Sequence, residues 1–193
     1  MKKIILSAAA VLIFSFANAQ EAKYGIKVGM NIANQKFEGN GVTLTANSIV
    51  GIQVGGFAEV KLNDKFAIQP EVLFSTEGSK LKSEGEEFAF NLSYINVPVM
   101  AKFYPAPKFN IQAGPQIGLL VAAKGKYQGE TDDIKDGYKT AAFGLNIGAA
   151  YDFTEKCFIE TRYNFGLSNI ADTNEEGLKM RGSVLIIAVG YKF

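Results

Sequence analysis

Apolar and polar residues alternate with a period of two along most of this chain, in eight separate segments. In the first, residues 24–33, Tyr24, Ile26, Val28, Met30 and Ile32 share one face, and Gly25, Lys27, Gly29 and Asn31 share the other. The second, 50–62, sets Val50, Ile52, Val54, Ala58 and Val60 against Gly51, Gln53, Gly55, Glu59 and Lys61. The third, 66–76, opposes Phe66, Ile68, Val72 and Phe74 to Gln69, Glu71 and Ser75; the fourth, 92–104, opposes Ile95, Val97, Val99 and Phe103 to Asn96 and Lys102. From Phe109 the fifth places Ile111, Ile117 and Leu119 opposite Asn110, Gln112 and Gln116, and the sixth, 141–153, places Phe143, Leu145 and Ile147 opposite Asn146 and Asp152. The seventh carries Ile159, Tyr163 and Phe165 against Glu160, Arg162 and Asn164, and the eighth, 182–193, ends the chain on Tyr191 and Phe193. Side chains on a strand point alternately to its two faces, so each segment reads as a strand with one apolar and one polar side.

The polar faces decide which side is outside. A water-soluble barrel with an apolar interior needs charged outer faces, whereas the alternate positions here are rich in Gly, Asn and Gln. Eight alternating segments of about ten residues fit an eight-stranded antiparallel up-and-down transmembrane β-barrel, an all-β fold with apolar residues toward lipid. After the N-terminal leader no segment reaches the 18 or more apolar residues of a membrane helix, and in lipid only helices and closed sheets satisfy every backbone group.

The connections agree with this reading. Short turns near 63, 105 and 154 alternate with long polar stretches at 34–48, 77–91, 123–140 and 169–181, which places the short turns and both termini in the periplasm. Tyr24, Phe66, Phe103, Phe109, Tyr151, Phe153, Tyr191 and Phe193 lie on apolar faces near the short-turn ends, and Phe74, Phe143 and Phe165 lie nearer the opposite rim, the two aromatic girdles of a barrel. Closing the ring pairs the last segment with the first, which predicts a monomer.

Residues 1–19 read as a cleavable signal peptide. Lys2 and Lys3 supply the charge, 4–16 the apolar run and Ala17-Asn18-Ala19 the cleavage site, so the barrel domain is expected at 20–193 in the cell outer membrane. Loss of Lys2 and Lys3 leaves 18 basic residues against 19 acidic ones, a formal charge of −1 that gives nucleic acid no attraction. The single Cys157 cannot form an internal disulfide, which leaves the barrel ladder to hold an exported chain together.

The inward charges form the candidate site: Lys27, Glu59, Lys61, Glu71, Lys102, Glu160 and Arg162. An eight-stranded interior is filled by its own side chains, so these groups must pair, with Arg162 against Glu71 or Glu160 at the centre. The expected role is structural, a closed plug; the functional alternative is a path for protons or small ions. The repeated pairs Gly25/Gly29, Gly51/Gly55, Gly114/Gly118 and Gly144/Gly148 share the inward side and make room for those long side chains. No His is present to move protons near neutral pH, so no enzyme activity, cofactor or metal site is expected. Asp172, Asn174, Glu176 and Gly177 mimic the opening of a calcium loop, but Ser183 stands where a bidentate Glu is required.

The runs Gln69-Pro70-Glu71-Val72-Leu73-Phe74-Ser75, Tyr94-Ile95-Asn96-Val97-Pro98-Val99 with Lys102-Phe103-Tyr104, Ala113-Gly114-Pro115, and Glu160-Thr161-Arg162-Tyr163-Asn164-Phe165-Gly166-Leu167 resemble the PorT-like outer-membrane barrel family of Bacteroidota. Asn96 stands where such relatives commonly carry an acidic residue. The resemblance covers essentially the whole chain beyond the leader and implies a small porin-like barrel, one branch of which assists protein secretion and gliding. The resulting expectation is a structural or interaction role in envelope integrity, adhesion or secretion; the alternative is a narrow porin-like channel for small polar solutes or ions. Expected partners are outer-membrane lipid, the barrel-assembly machinery, reading Tyr191 and Phe193 as a C-terminal signal, and envelope or secretion-system proteins.

Overall fold

The computed structural model describes residues 22–39, 42–83, 86–172 and 178–193; the leader expected at 1–19 and the calcium-like positions Asn174, Glu176 and Gly177 lie outside them. The strands are β1 (Ala22–Gly39), β2 (Val42–Thr45), β3 (Asn47–Lys61), β4 (Phe66–Ser83), β5 (Glu86–Ala106), β6 (Phe109–Tyr127), β7 (Glu130–Asp133), β8 (Ala141–Asp152), β9 (Cys157–Gly166) and β10 (Lys179–Lys192). Long strands that follow one another in the chain pair antiparallel, and β10 returns to pair with β1 from Gly25↔Lys192 to Glu38↔Lys179. The ring therefore contains eight long strands, with β2 and β7 as short additions to β1 and β6. Closure runs to the last residue, where the Phe193 amide donates to the Tyr24 carbonyl at 2.9 Å. Closing the main ring leaves no free edge along its paired length and makes a disulfide unnecessary.

The distribution of polarity is inverted relative to a water-soluble barrel. Ile52 and Val189 are 55 % and 52 % exposed on the outer surface, while Lys27 and Arg162 are 2 % exposed inside. The eight aromatics expected near the short turns and the three at the opposite rim are all exposed in this belt. Phe57 and Phe158 behave differently. They share the parity of Glu59 and Glu160, and both are buried in the lumen.

The inward glycines accommodate neighbouring side chains. A Cβ on Gly25 would stand 2.3 Å from Cζ of Phe57, one on Gly190 would stand 2.2 Å from Cζ of Phe158, and one on Gly148 would stand 2.8 Å from Cγ of Arg162. In a lumen this narrow, omission of a side chain on one strand lets the next strand project a large one.

Two of the four stretches expected as long loops, 34–48 and 77–91, are largely strand, and half of a third, 123–140, is strand. β1 continues to Gly39, β4 and β5 extend to Ser83 and from Glu86, and β6 reaches Tyr127, so this wall rises well beyond the apolar belt. Above the belt both faces of a strand meet water, so the alternation disappears while the backbone ladder continues. The β6–β7 hairpin turns on Gln128 and Gly129 with φ of 47° and 90°, the left-handed pair that a two-residue hairpin requires. Val60, expected on the outer face, is buried between its cross-strand partners Ala22 and Ile68.

Candidate functional site

The lumen is filled in tiers. Nearest the short turns, Lys102 Nζ lies 2.7 Å from Glu59 Oε2, and Lys192 Nζ lies 3.5 Å from that oxygen and 3.1 Å from Asp152 Oδ1. The Tyr104 hydroxyl donates to Glu59 Oε2 at 3.0 Å. Phe57 and Phe158 meet edge to face at 5.5 Å, and the ammonium groups of Lys102 and Lys192 lie 5.5 and 5.4 Å from the Phe158 ring. A cation over an aromatic face gains from the ring quadrupole, so the apolar pair also holds the lysines in place.

The next tier is the expected centre, and Arg162 contacts both of the acids that were its alternatives. Its guanidinium forms a two-pronged contact with Glu71 at 2.9 and 2.6 Å and reaches Glu160 at 2.8 Å. Lys27 closes the square, at 2.7 Å from Glu71 and 2.6 Å from Glu160. Gln112 joins Arg162 and Glu160, while Gln69 accepts from Lys102 and donates to Glu71, linking the two tiers. Four cations, Lys27, Lys102, Arg162 and Lys192, thus face four anions, Glu59, Glu71, Asp152 and Glu160. Their charges cancel, which is what allows ionised groups to be retained in so narrow an interior.

Six of the seven predicted charges enter this network; Lys61 does not. As the last residue of β3 it is exposed at the short-turn mouth, because no strand wall continues past it to cover the side chain. Two of its eight charges lie outside the predicted cluster, Asp152, which was placed on the polar face of its segment, and Lys192. The inward parity of Lys192 between the outward Tyr191 and Phe193 was available as a signal. Those two aromatics are exposed on the belt, and their rings pack 5.8 Å apart.

Toward the outer end ionic contacts give way to neutral ones. Asn164 donates to Asn146 and Asn146 to Gln116; Asn31 donates to Ser75 at 2.9 Å, and Ser79 donates to Gln35 at 2.7 Å. Val184, Ile186 and Ala188 of β10 pack with Ala33 as an apolar stripe inside the wall. Glu77, expected in a loop, projects inward from β4 and accepts from Ser75 at 2.8 Å and Asn96 at 2.9 Å. A cavity of about 40 Å³ opens beside it, space for about three waters.

A folded cap closes the outer end. Leu92, Tyr94, Leu120, Ala123, Tyr138 and Ile170 form one buried cluster, with Ile134 and Met180 against it. Tyr138 bridges to Ala171, and backbone bonds from Lys139 to Ile170 and from Asp172 to Gly137 tie the two outer loops together. Burial pushes the Tyr138 phenol up to about 12, so it stays neutral in the cap.

Residues 16–172 match the outer membrane protein beta-barrel domain family. Among solved structures the chain is similar to Neisserial surface protein A, with 18 % identity, a TM-score of 0.61 and coverage of 90 % of this chain and 100 % of that one. It is also similar to Ail, the attachment invasion locus protein of Yersinia pestis, with 13 % identity, a TM-score of 0.53 and the same coverages. At these identities the likeness is one of fold. No curated protein matches the chain by sequence.

Proposed function

Because this chain belongs to the outer membrane protein beta-barrel domain family, a membership that implies an outer-membrane location, we propose that it acts as a sealed barrel with a structural or interaction role. The observation that carries this reading is the filled lumen: a self-neutralising ion network toward the short turns and an apolar cap at the outer end, with a cavity of about 40 Å³ between them. Such an interior leaves the outer surfaces to do the work. The exposed apolar belt meets lipid, and the tall wall of β1 and β4–β6 stands above it as a platform for partners. Envelope integrity, adhesion and assistance to secretion are the roles in scope, and the resemblance to PorT-like barrels favours the last. On this reading residues 1–19 are removed on export, Tyr191 and Phe193 engage the assembly machinery, and the barrel works as a monomer.

Conductance in planar bilayers tests the proposal. Purified mature protein is expected to give no steps above noise, whereas steady steps that change when Arg162 is replaced would establish the narrow channel instead.

A further inference from the structure

Glu77 is the one inward carboxylate of the described residues that the ion network leaves out. The four cations and four anions nearer the periplasm neutralise one another, and Glu77 has no cationic partner among the described residues. Its two donors, Ser75 Oγ and Asn96 Nδ2, are neutral, and both bond Oε1. An uncompensated charge in a closed interior is strongly unfavourable, so something must neutralise it.

The cavity beside Glu77 is rich in acceptors. Asn34, Gln35, Glu77, Asn96 and Asn164 all line it. Asn164 and Asn96 commit their amide nitrogens to Asn146 and Glu77, which turns their carbonyl oxygens to other use; neither oxygen receives a hydrogen bond among the described residues. Asn34 also borders the cavity, but the alternation of β1 turns its side chain to the outer face, between the inward Ala33 and Gln35; Gln35 Nε2 is buried without a partner. One carboxylate with two neutral carbonyl oxygens suits a hard cation, and a single negative charge is balanced by a single positive one. The volume, about 40 Å³, admits a bare metal ion with a water or two.

We propose that this cavity binds one monovalent metal ion of sodium or potassium size, held by the Glu77 carboxylate and the side-chain carbonyl oxygens of Asn96 and Asn164. The site lies between the ion network and the outer cap, so occupancy would tie β4 and β5 to β9 across the lumen. It stands independently of the role proposed above, since it concerns how the interior is neutralised.

The test uses mature protein in nanodiscs at constant pH and ionic strength, with sodium, potassium or N-methylglucamine as the only cation. The thermal midpoint, read by heat-modifiable gel migration, is expected to climb with sodium or potassium and to stay flat in N-methylglucamine, because a ligand of the native state stabilises it by mass action. Glu77→Gln, which keeps the side-chain shape, should abolish the climb. Asn164→Ala keeps the carboxylate and should raise the half-saturating concentration by about tenfold. Sodium-23 line broadening by the parent should be lost in Glu77→Gln. Equal midpoints in all three cations, an undiminished response in Glu77→Gln, or a protonated-carboxyl infrared band that this substitution removes would each overturn the proposal, the last by showing that a proton does the neutralising.

Discussion

Between the short turns and Gln112 the lumen holds eight ionised side chains locked against one another, whereas from Gln116 to the cap it holds amides, hydroxyls, an apolar stripe and one carboxylate beside a cavity. Both regions lie inside the same ring of strands and face the same constraint, that polar groups removed from water must find partners. The inner half meets it with matched charges, which need fixed geometry and leave space only at the short-turn mouth. The outer half meets it with groups that accept or donate as circumstances require, and there space remains. Fixed geometry therefore belongs to the short-turn half, which opens only at a mouth lined by Glu59, Tyr104, Asp152 and Lys192, and the small cavity within the lumen belongs to the outer half.

The sharpest way to break this contrast is to remove a charge from the inner half. Arg162→Ala leaves Glu71 and Glu160 with Lys27 alone, and a loss of about 3–5 kcal/mol in unfolding free energy is expected from denaturant titration in detergent. An Arg162→Ala barrel within about 1 kcal/mol of the parent would show that the network is hydrated and adds little. Next in size is Gly190→Ala. The new methyl would meet the Phe158 ring, with the Lys102 and Lys192 ammonium groups on its faces, and an overpacking cost of about 1–3 kcal/mol is expected in the same titration.

A direct comparison of halves comes from one substitution made twice. Glu71→Gln unbalances the inner network and should cost about 3 kcal/mol or more. Glu77→Gln, measured without sodium or potassium, should cost less than about 1 kcal/mol, because its present donors are neutral. If the two variants lose equal stability, the distinction between the halves fails. The smallest effect belongs outside the lumen: Lys80, on the tall wall, pairs with Glu87 at 2.6 Å with both side chains 40 % exposed, and Lys80→Ala should change stability by less than about 1 kcal/mol.

Much of the molecule was legible before any coordinates. Period-two alternation located all eight spanning strands, and inward parity alone placed Lys27, Glu71, Lys102, Glu160 and Arg162 on one surface. The misreadings have physical causes. Lys61 has inward parity, but parity says nothing about where the wall stops. Glu77 has inward parity too, yet the apolar face beside it ends near Phe74, and the strand went undetected once the belt ended. Phe57 and Phe158 were assigned to neither face of their segments, and they turn inward because Gly25 and Gly190 leave room for their rings.

By itself the sequence determined that the chain forms a closed ring of strands, which face is apolar and which is charged, and where the short turns fall along the chain, because strand pleat and bilayer polarity act locally on every residue. Only the tertiary structure decided which charge meets which: that Arg162 bridges two acids, that Lys192 rather than Lys61 completes the inner tier, and that Glu77 is left over beside a cavity. Those outcomes depend on the stagger of strands around the ring, which brings Glu71 and Arg162 together across the lumen although 91 positions separate them in the chain.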